Sequence, residues 1–180
     1  YAGGGAMSNA GIGSGCLFSW NGAQWTAVGA ASLDGDVRSL CVDADGDLLA
    51  GGAFVSAGGQ ELLRIARWDG SNWWPLGEGI ASEVGLVPEA AVETIARGPD
   101  GLIYAGGNFD SSDSLLPAYL ARWDGAGWSP LGDGPGGIVR ALITEGDERL
   151  VAGGATVGGI ARWSGSGWEA LGAGLNGWVQ

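Results

Sequence analysis

Trp68-Asp-Gly-Ser-Asn-Trp73 places a turn dipeptide between two tryptophans, and the same hairpin recurs three more times along the chain. Asp-Gly and Asn-Gly supply the positive φ angles that tight hairpin turns require, so each copy predicts two antiparallel strands with an indole on either side of the turn. The other copies are Trp20-Asn-Gly-Ala-Gln-Trp25, Trp123-Asp-Gly-Ala-Gly-Trp128 and Trp163-Ser-Gly-Ser-Gly-Trp168. A unit that recurs in this way is typical of a repeat protein.

An Ala-Gly-Gly triplet marks the same repeat at a second point. Its alanines are Ala2, Ala50, Ala105 and Ala152, which lie 48, 55 and 47 residues apart. This spacing is close to the ~40–50 residues of propeller blades and well above the 33–34 residues of helical repeats.

Between the two markers, the residue pattern predicts four strands in each repeat. Residues 37–42, 92–96 and 139–143 alternate with the strand period and form the predicted first strand. The Ala-Gly-Gly segment is the second strand, and the third and fourth strands flank the tryptophan hairpin. Small residues in the second strand suit an inner position where sheets approach closely. The eight hairpin tryptophans are predicted to pack between the sheets further out.

On these residues, the chain resembles the kelch-type propeller family, which is related to the central domain of galactose oxidase. Gly51-Gly52 with Trp68-Asp69-Gly70 matches the family's glycine doublet and its later Asp turn and Trp, as does Gly106-Gly107 with Trp123-Asp124-Gly125. The chain is also similar to Gly/Trp-rich repeats of secreted bacterial proteins. The resemblance implies a propeller architecture. Galactose oxidase chemistry requires histidine ligands to copper, and this chain has no histidine.

The predicted fold is an all-β β-propeller built of four-stranded antiparallel blades, with about 3.75 repeats of 47–55 residues in one region, 1–180. The repeat units are 1–48, 49–103, 104–150 and a partial unit, 151–180, so the first blade lacks its innermost strand. A four-bladed ring closed by the short tail is one arrangement. Part of a larger or non-self-closed ring is favoured. The start at Tyr1, within the pattern, predicts a processed product or a piece of a longer chain.

The charge of the chain excludes several classes of function. Twenty acids face eight bases, all of them arginine, for a net charge of −12. Nucleic-acid binding requires a basic surface, and an anionic membrane surface is disfavoured for the same reason. No apolar stretch approaches the ~20 residues of a membrane span, so we expect no membrane insertion. The absence of histidine and lysine removes the commonest general base and Schiff-base chemistry.

Three aspartates and two cysteines are candidates for structural bonds. Asp43, Asp45 and Asp47 have the alternate spacing of a short calcium loop, and the alternative is a plain hairpin turn. Cys16 and Cys41 form either one disulfide, in an oxidising compartment, or two small buried thiols. We expect no other cofactor.

Arginine recurs one residue before the first tryptophan of three hairpins, at Arg67, Arg122 and Arg162. Alternation along a strand places these arginines on the face opposite the tryptophan. Recurrence at a scaffold position favours a structural role over a ligand site. In that role, the arginines pair with carboxylates or stack on a neighbouring indole.

Loops of variable length indicate the binding face. These are the predicted connections 5–15, 53–62, 80–91, 108–118 and 155–159, whereas the remaining turns are short and uniform. Trp74 and Trp178 fall outside the hairpin pattern, and Trp74 is the better candidate of the two for an exposed, sugar-stacking indole. The predicted binding residues are Ser8, Asn9, Gln60, Glu61, Trp74, Glu83, Glu89, Asp110 and Asp113.

The sequence favours a non-catalytic, extracellular or cell-surface scaffold that binds protein or glycan, serves adhesion, or self-assembles through open blade edges. The rival hypothesis is a carboxylate-based carbohydrate-active enzyme domain with its site at the propeller axis. An engineered consensus repeat is a third hypothesis, which the unequal periods argue against.

Overall fold

The structure, a computed structural model, describes residues 1–9, 13–29, 32–80, 90–98, 100–109, 119–145 and 149–173; the side chains of residues 6–9 and 13–16 are not part of this description. Within these ranges the chain is all-β, and strands and turns follow one another without a helix. Accordingly, none of the described residues belongs to a helix long and apolar enough to cross a membrane.

The described strands form small antiparallel sheets that follow the repeat. Sheet 1 has three strands in the order β1 (Ala2–Asn9), β2 (Gly13–Trp20) and β3 (Trp25–Ala27). The chain continues with β4 (Val37–Val42), β5 (Leu48–Gly52), a two-stranded hairpin of β6 (Ser56–Ala57) and β7 (Gln60–Glu61), then β8 (Ile65–Trp68) and β9 (Trp73–Pro75). Sheet 2 has the order β4-β5-β8-β9.

Sheets 3 and 4 each use four consecutive strands. Sheet 3 consists of β10 (Ala91–Arg97), β11 (Ile103–Asn108), β12 (Leu120–Trp123) and β13 (Trp128–Ser129). Sheet 4 consists of β14 (Val139–Glu145), β15 (Arg149–Gly154), β16 (Ile160–Trp163) and β17 (Trp168–Ala170). The predicted four-stranded sheets are confirmed for sheets 2, 3 and 4, and sheet 1 has three strands among the described residues. They are compatible with blades, although the described residues do not close into a ring of sheets and the propeller stays a prediction.

A β-bulge in the innermost strand explains the second glycine of the doublet. The β4–β5 register shifts between Val37 and Ser39, and the equivalent shift recurs in sheets 3 and 4. A Cβ atom on Gly52 would overlap the carbonyl oxygen of Asp36, and one on Gly107 would overlap that of Ala91. Only glycine therefore lets the second strand pass this close to the bulged backbone.

The first glycine of the doublet has a different function, because it lies where successive sheets touch. A Cβ atom on Gly51 would lie 2.6 Å from Val92 Cγ1 of sheet 3, and one on Gly106 would lie 2.5 Å from Val139 Cγ1 of sheet 4. The doublet thus serves one contact within a sheet and one contact between sheets.

Innermost strands of neighbouring sheets are joined by side-chain hydrogen bonds. Ser39 Oγ of β4 accepts from the backbone N–H of Ile95 in β10, at 2.9 Å. Thr94 Oγ1 of β10 accepts from the backbone N–H of Leu142 in β14, at 3.1 Å. A separate apolar cluster fills the space between each pair of successive sheets. The sheets therefore stand face to face in chain order.

The tryptophan pairs pack toward the preceding sheet, on the Leu-Gly segment that follows its last strand. Trp128 Nε1 donates to the carbonyl oxygen of Leu76 at 2.8 Å, and Trp168 Nε1 donates to that of Leu131 at 3.0 Å. The prediction that all eight hairpin tryptophans pack between sheets is wrong for Trp20 and Trp25, which are 49% and 43% exposed. Their face of sheet 1 has no preceding described sheet to cover it.

Two predicted loops contain strands. β1 extends to Asn9 and β2 starts at Gly13, so most of the predicted loop 5–15 continues the β1–β2 ladder. In sheets 2 and 4 the residue after the glycine doublet donates to the innermost strand, as Ala53 does to Asp36 O at 2.9 Å. In sheet 1, the described residues after the doublet pair with β2 up to Asn9. The predicted loop 53–62 contains the β6–β7 hairpin.

The contribution of the Trp128 hydrogen bond to the free energy of unfolding can be measured by comparison with Trp73. Trp73 Nε1 is buried and has no hydrogen-bond partner among the described residues. Trp128→Phe and Trp73→Phe both remove an indole nitrogen, but only Trp128→Phe breaks a bond to a carbonyl. We expect Trp128→Phe to lower the free energy of unfolding by about 1 kcal/mol more than Trp73→Phe does, measured by urea denaturation. Equal losses would contradict a stabilising role for this bond.

Candidate binding cleft

A cleft of about 450 Å³ opens between sheets 2 and 3, at the end of the sheets where the short turns lie. Its lining comes from three sources: the β4–β5 turn, strand β9 with the Leu-Gly segment after it, and the two turns of sheet 3. The residues that carry chemistry there are Asp43, Asp45, Arg67, Trp74 and Asp124. The cleft therefore combines an indole, a guanidinium and carboxylates.

Trp74 is fixed in the cleft while 47% of it stays exposed. Alternation along β9 buries Trp73 toward sheet 1 and turns Trp74 toward sheet 3. Asp69 Oδ2 accepts from the indole nitrogen of Trp74 at 2.7 Å. This bond ties the ring to the β8–β9 turn and limits its rotation.

Asp69 itself is fixed by the turn that it caps. Asp69 Oδ1 accepts from the backbone N–H groups of Asn72 at 2.7 Å and Ser71 at 2.8 Å. The Asn72 amide, the Trp74 indole and the Ser71 amide hold the pKa of Asp69 below its usual value, because each donates to the charged carboxylate. The charged form of Asp69 is therefore favoured, and a charged carboxylate is the stronger acceptor for the Trp74 indole.

Arg67 lies beside Trp74 on the same face of sheet 2, because the two residues are directly opposed in the β8–β9 register. Its Nε atom lies 3.3 Å from Asp47 Oδ2, and 39% of its side chain is exposed. The guanidinium therefore has donors available at the edge of the indole.

The recurring arginines have local partners, in line with the structural hypothesis. Arg162 lies 4.0 Å from Glu169, an exposed pair on opposed strands. Arg122 Nε donates to Ser129 Oγ at 3.4 Å. Each arginine is thus paired within its own sheet, and only sheet 2 places a tryptophan opposite it.

The three aspartates proposed as calcium ligands form a capped hairpin turn. Asp43 Oδ1 accepts from the backbone N–H groups of Asp45 at 3.0 Å and Asp47 at 2.9 Å, and Asp47 pairs with Arg67. Across the described ranges, no three Asp, Glu or Cys side chains come together in a way that could hold a metal ion. The calcium-like spacing therefore corresponds to turn capping by Asp43.

A smaller cleft of about 230 Å³ occupies the equivalent place between sheets 3 and 4. Tyr104 lines it and donates to Asp100 Oδ2 at 2.7 Å. Burial and the neighbouring Asp100 carboxylate raise the pKa of Tyr104 well above its usual value. Ser129 stands opposite Arg122 here, where sheet 2 has Trp74. The exposed indole therefore distinguishes the cleft between sheets 2 and 3.

The structure brings Asp43, Asp45 and Trp74 together in this cleft, whereas Gln60 and Glu61 lie elsewhere. Gln60 and Glu61 lie on β7, and Gln60 lines a separate cavity of about 210 Å³ beside Trp68 and Trp73. The side chains of Ser8 and Asn9 lie outside the described part of the chain, as do the whole residues Glu83, Glu89, Asp110 and Asp113.

Residue-pattern reasoning missed Arg67, Asp69 and Asp124 as cleft residues. The signal for Arg67 was present, because pairing Trp68 with Trp73 places Arg67 opposite Trp74. Predicting that Asp124 lines the cleft would have required knowing which turn of sheet 3 faces sheet 2. No local pattern carries that information.

Cys41 is a free cysteine that packs against the apolar cluster between sheets 2 and 3, and burial raises the pKa of its thiol. Of the two alternatives for Cys16 and Cys41, a disulfide or two thiols, the structure shows Cys41 as a thiol. The side chain of Cys16 lies outside the described residues.

The fold and the cleft define an all-β protein of stacked antiparallel sheets with an indole-lined groove between two of them. Compared with models of protein families, with curated proteins and with solved structures, the chain has no match in any of the three.

Proposed function

We propose that this chain is a non-catalytic, extracellular β-propeller-type scaffold that binds a neutral glycan in the cleft beside Trp74. The observation that carries the proposal is an exposed indole fixed by Asp69 inside a polar cleft. A rigid aromatic surface offers a large contact area at little conformational cost, and sugar rings present C–H faces that fit it.

The groups around Trp74 suit hydroxyl groups. Carboxylates accept hydrogen bonds from a sugar, and the Arg67 guanidinium donates to its oxygens. Pockets of this kind bind through an apolar surface and a few placed polar groups. The acidic lining and the net charge of −12 disfavour anionic polysaccharides.

The carboxylate-based enzyme is the less favoured function. A glycosidase needs one carboxyl that stays protonated near neutral pH, which requires a raised pKa. Backbone amides of Ala126 and Gly127 instead hold the pKa of Asp124 below its usual value, and Asp69 is lowered in the same way. Both of these carboxyls favour the charged form.

The test is a titration of the chain with soluble neutral hexasaccharides of glucose, mannose and galactose, and with hexagalacturonate as the anionic comparator. We expect at least one neutral hexasaccharide to bind, with hexagalacturonate bound more weakly. Trp74→Ala should weaken binding roughly tenfold or more, because an aromatic contact at the centre of a site dominates its affinity. Isothermal titration calorimetry gives the affinities.

Trp25→Ala is the matched control, since it removes an indole of similar exposure that lies on sheet 1. It should leave glycan affinity unchanged. Binding that is equal in wild type and Trp74→Ala would contradict the proposed site. Release of new reducing ends from any of these glycans by the purified chain would overturn the non-catalytic function.

A further inference from the structure

The contact between successive sheets repeats with the same parts each time. The tryptophan pair of one sheet sits on a glycine in the Leu-Gly or Val-Gly segment of the sheet before it. A Cβ atom on Gly77 would lie 2.5 Å from Trp123, one on Gly132 would lie 2.8 Å from Trp163, and one on Gly29 would lie 3.0 Å from Trp68. The indole therefore fills the space that a side chain at this glycine would take.

The glycine also sets the backbone that receives the indole. Gly29, Gly77 and Gly132 have φ values of 81°, 64° and 63°, in the left-handed region that favours glycine. The carbonyl just before the glycine accepts from the second tryptophan in two of the three contacts. The leucines at these positions are buried, at 7% exposure for Leu76 and 5% for Leu131.

At sheet 4, none of the described indoles lies on the same receiving segment. Gly172 has the receiving conformation, with a φ of 67°, and a Cβ atom there would meet nothing within 4 Å. Leu171 is 44% exposed. Leu171 and Gly172 therefore have the backbone conformation that receives an indole in the other sheets, but their surface is exposed. We call this segment the receiving end.

At sheet 1, the tryptophan pair packs on no Leu-Gly or Val-Gly segment among the described residues. Trp20 and Trp25 are 49% and 43% exposed, whereas Trp68 and Trp73 are 9% and 5% exposed. The open pair nevertheless has the geometry of the seated ones, with centroids 5.5 Å apart and planes at 46°, against 5.3 Å and 51° for Trp68 and Trp73. We call the exposed pair the indole end.

We propose that the indole end of one copy docks on the receiving end of a second copy, joining chains head to tail. Trp20 then lies on Gly172, and Trp25 Nε1 donates to the carbonyl oxygen of Leu171. A second copy is the partner because the docking repeats a contact that the chain already makes three times between its own sheets. The interface is heterologous, so the two surfaces involved differ and each copy presents one of each.

The asymmetry of this interface gives a decisive experiment. One variant, Trp20→Ala/Trp25→Ala, lacks the indole end and keeps the receiving end. A second variant, Leu171→Glu, lacks the receiving end and keeps the indole end. All substituted side chains are exposed, so both variants should fold like the wild type, which circular dichroism and urea unfolding check.

Sedimentation velocity from micromolar to millimolar concentration measures assembly. We expect the wild type to form species of increasing size and each variant alone to associate at least tenfold more weakly. Trp20→Ala/Trp25→Ala loses the aromatic anchor, and Leu171→Glu places a charge where the apolar contact would form. An equimolar mixture of the two variants should form dimers and nothing larger, since only one intact indole end and one intact receiving end remain per pair.

Trp74→Ala is the control for nonspecific association through exposed indoles, and this variant should assemble like the wild type. Three results would overturn the proposal: a wild type that stays monomeric throughout, including by closing on itself; a variant that assembles as well as the wild type; or a mixture of variants that does not dimerise.

Discussion

Gly107→Ala should destabilise the protein by about 3 kcal/mol or more, at the upper end of the cost of overpacking a closely packed site. The added Cβ would overlap the carbonyl oxygen of Ala91 and lie 3.0 Å from the backbone nitrogen of Glu93. Both atoms belong to the bulged strand β10, whose backbone is paired with β11. Relief of the overlap therefore requires a shift of one strand and a loss of ladder hydrogen bonds. Urea denaturation followed by tryptophan fluorescence measures the change.

Gly4→Ala is the matched control, because Gly4 is the second doublet glycine of sheet 1 and a Cβ atom there would meet nothing within 4 Å. Since no described backbone lies against Gly4 as it does against Gly107, this variant should stay within about 0.5 kcal/mol of the wild type. A Gly4→Ala variant as unstable as Gly107→Ala would show that the doublet matters for intrinsic backbone freedom rather than for close approach.

Trp73→Ala should cost about 3–5 kcal/mol of unfolding free energy, the usual range for removing a buried tryptophan. Trp73 is 5% exposed and packs in the cluster between sheets 1 and 2. The substitution leaves a cavity in the apolar cluster between these two sheets. Its effect is read from the urea midpoint, at a protein concentration low enough that the chain is monomeric.

The corresponding position in sheet 1 provides the comparison. Trp25 occupies the same place in its hairpin but is 43% exposed, so Trp25→Ala should cost no more than about 1 kcal/mol in the monomer. If both variants lost the same stability, the indoles would contribute through their own hairpins and not through packing between sheets.

The strands could be predicted because each is specified by residues close together in the chain. Alternation in 37–42 and the turn dipeptide at Asp69-Gly70 act over a few residues, and the structure places β4 and the β8–β9 turn there. The glycine doublet was also recognised. The separate roles of the two glycines, one beside the bulged strand and one against the next sheet, were not predicted. The register shift that separates them depends on a strand elsewhere in the chain.

The candidate cleft could be predicted only in part. Trp74 was singled out because it breaks the regular spacing of the tryptophans. Of the carboxylates predicted to bind calcium, Asp43 and Asp45 line the cleft, and Asp43 caps a turn by accepting from backbone amides at 2.9–3.0 Å. The predicted binding face lay on the variable loops, whereas this cleft lies at the opposite, short-turn end. Cavities arise where two sheets diverge, and loop length does not report that.

By itself, the sequence determined the strands, their turns, their grouping into sheets and the absence of histidine and lysine chemistry. These follow from local dihedral preferences, side-chain alternation and composition. Only the tertiary structure decided which indoles pack against a neighbouring sheet and which are exposed, and which residues line the same cleft. Exposure depends on whether another sheet covers a given face: the Trp20–Trp25 and Trp68–Trp73 pairs have nearly the same ring geometry but differ widely in exposure.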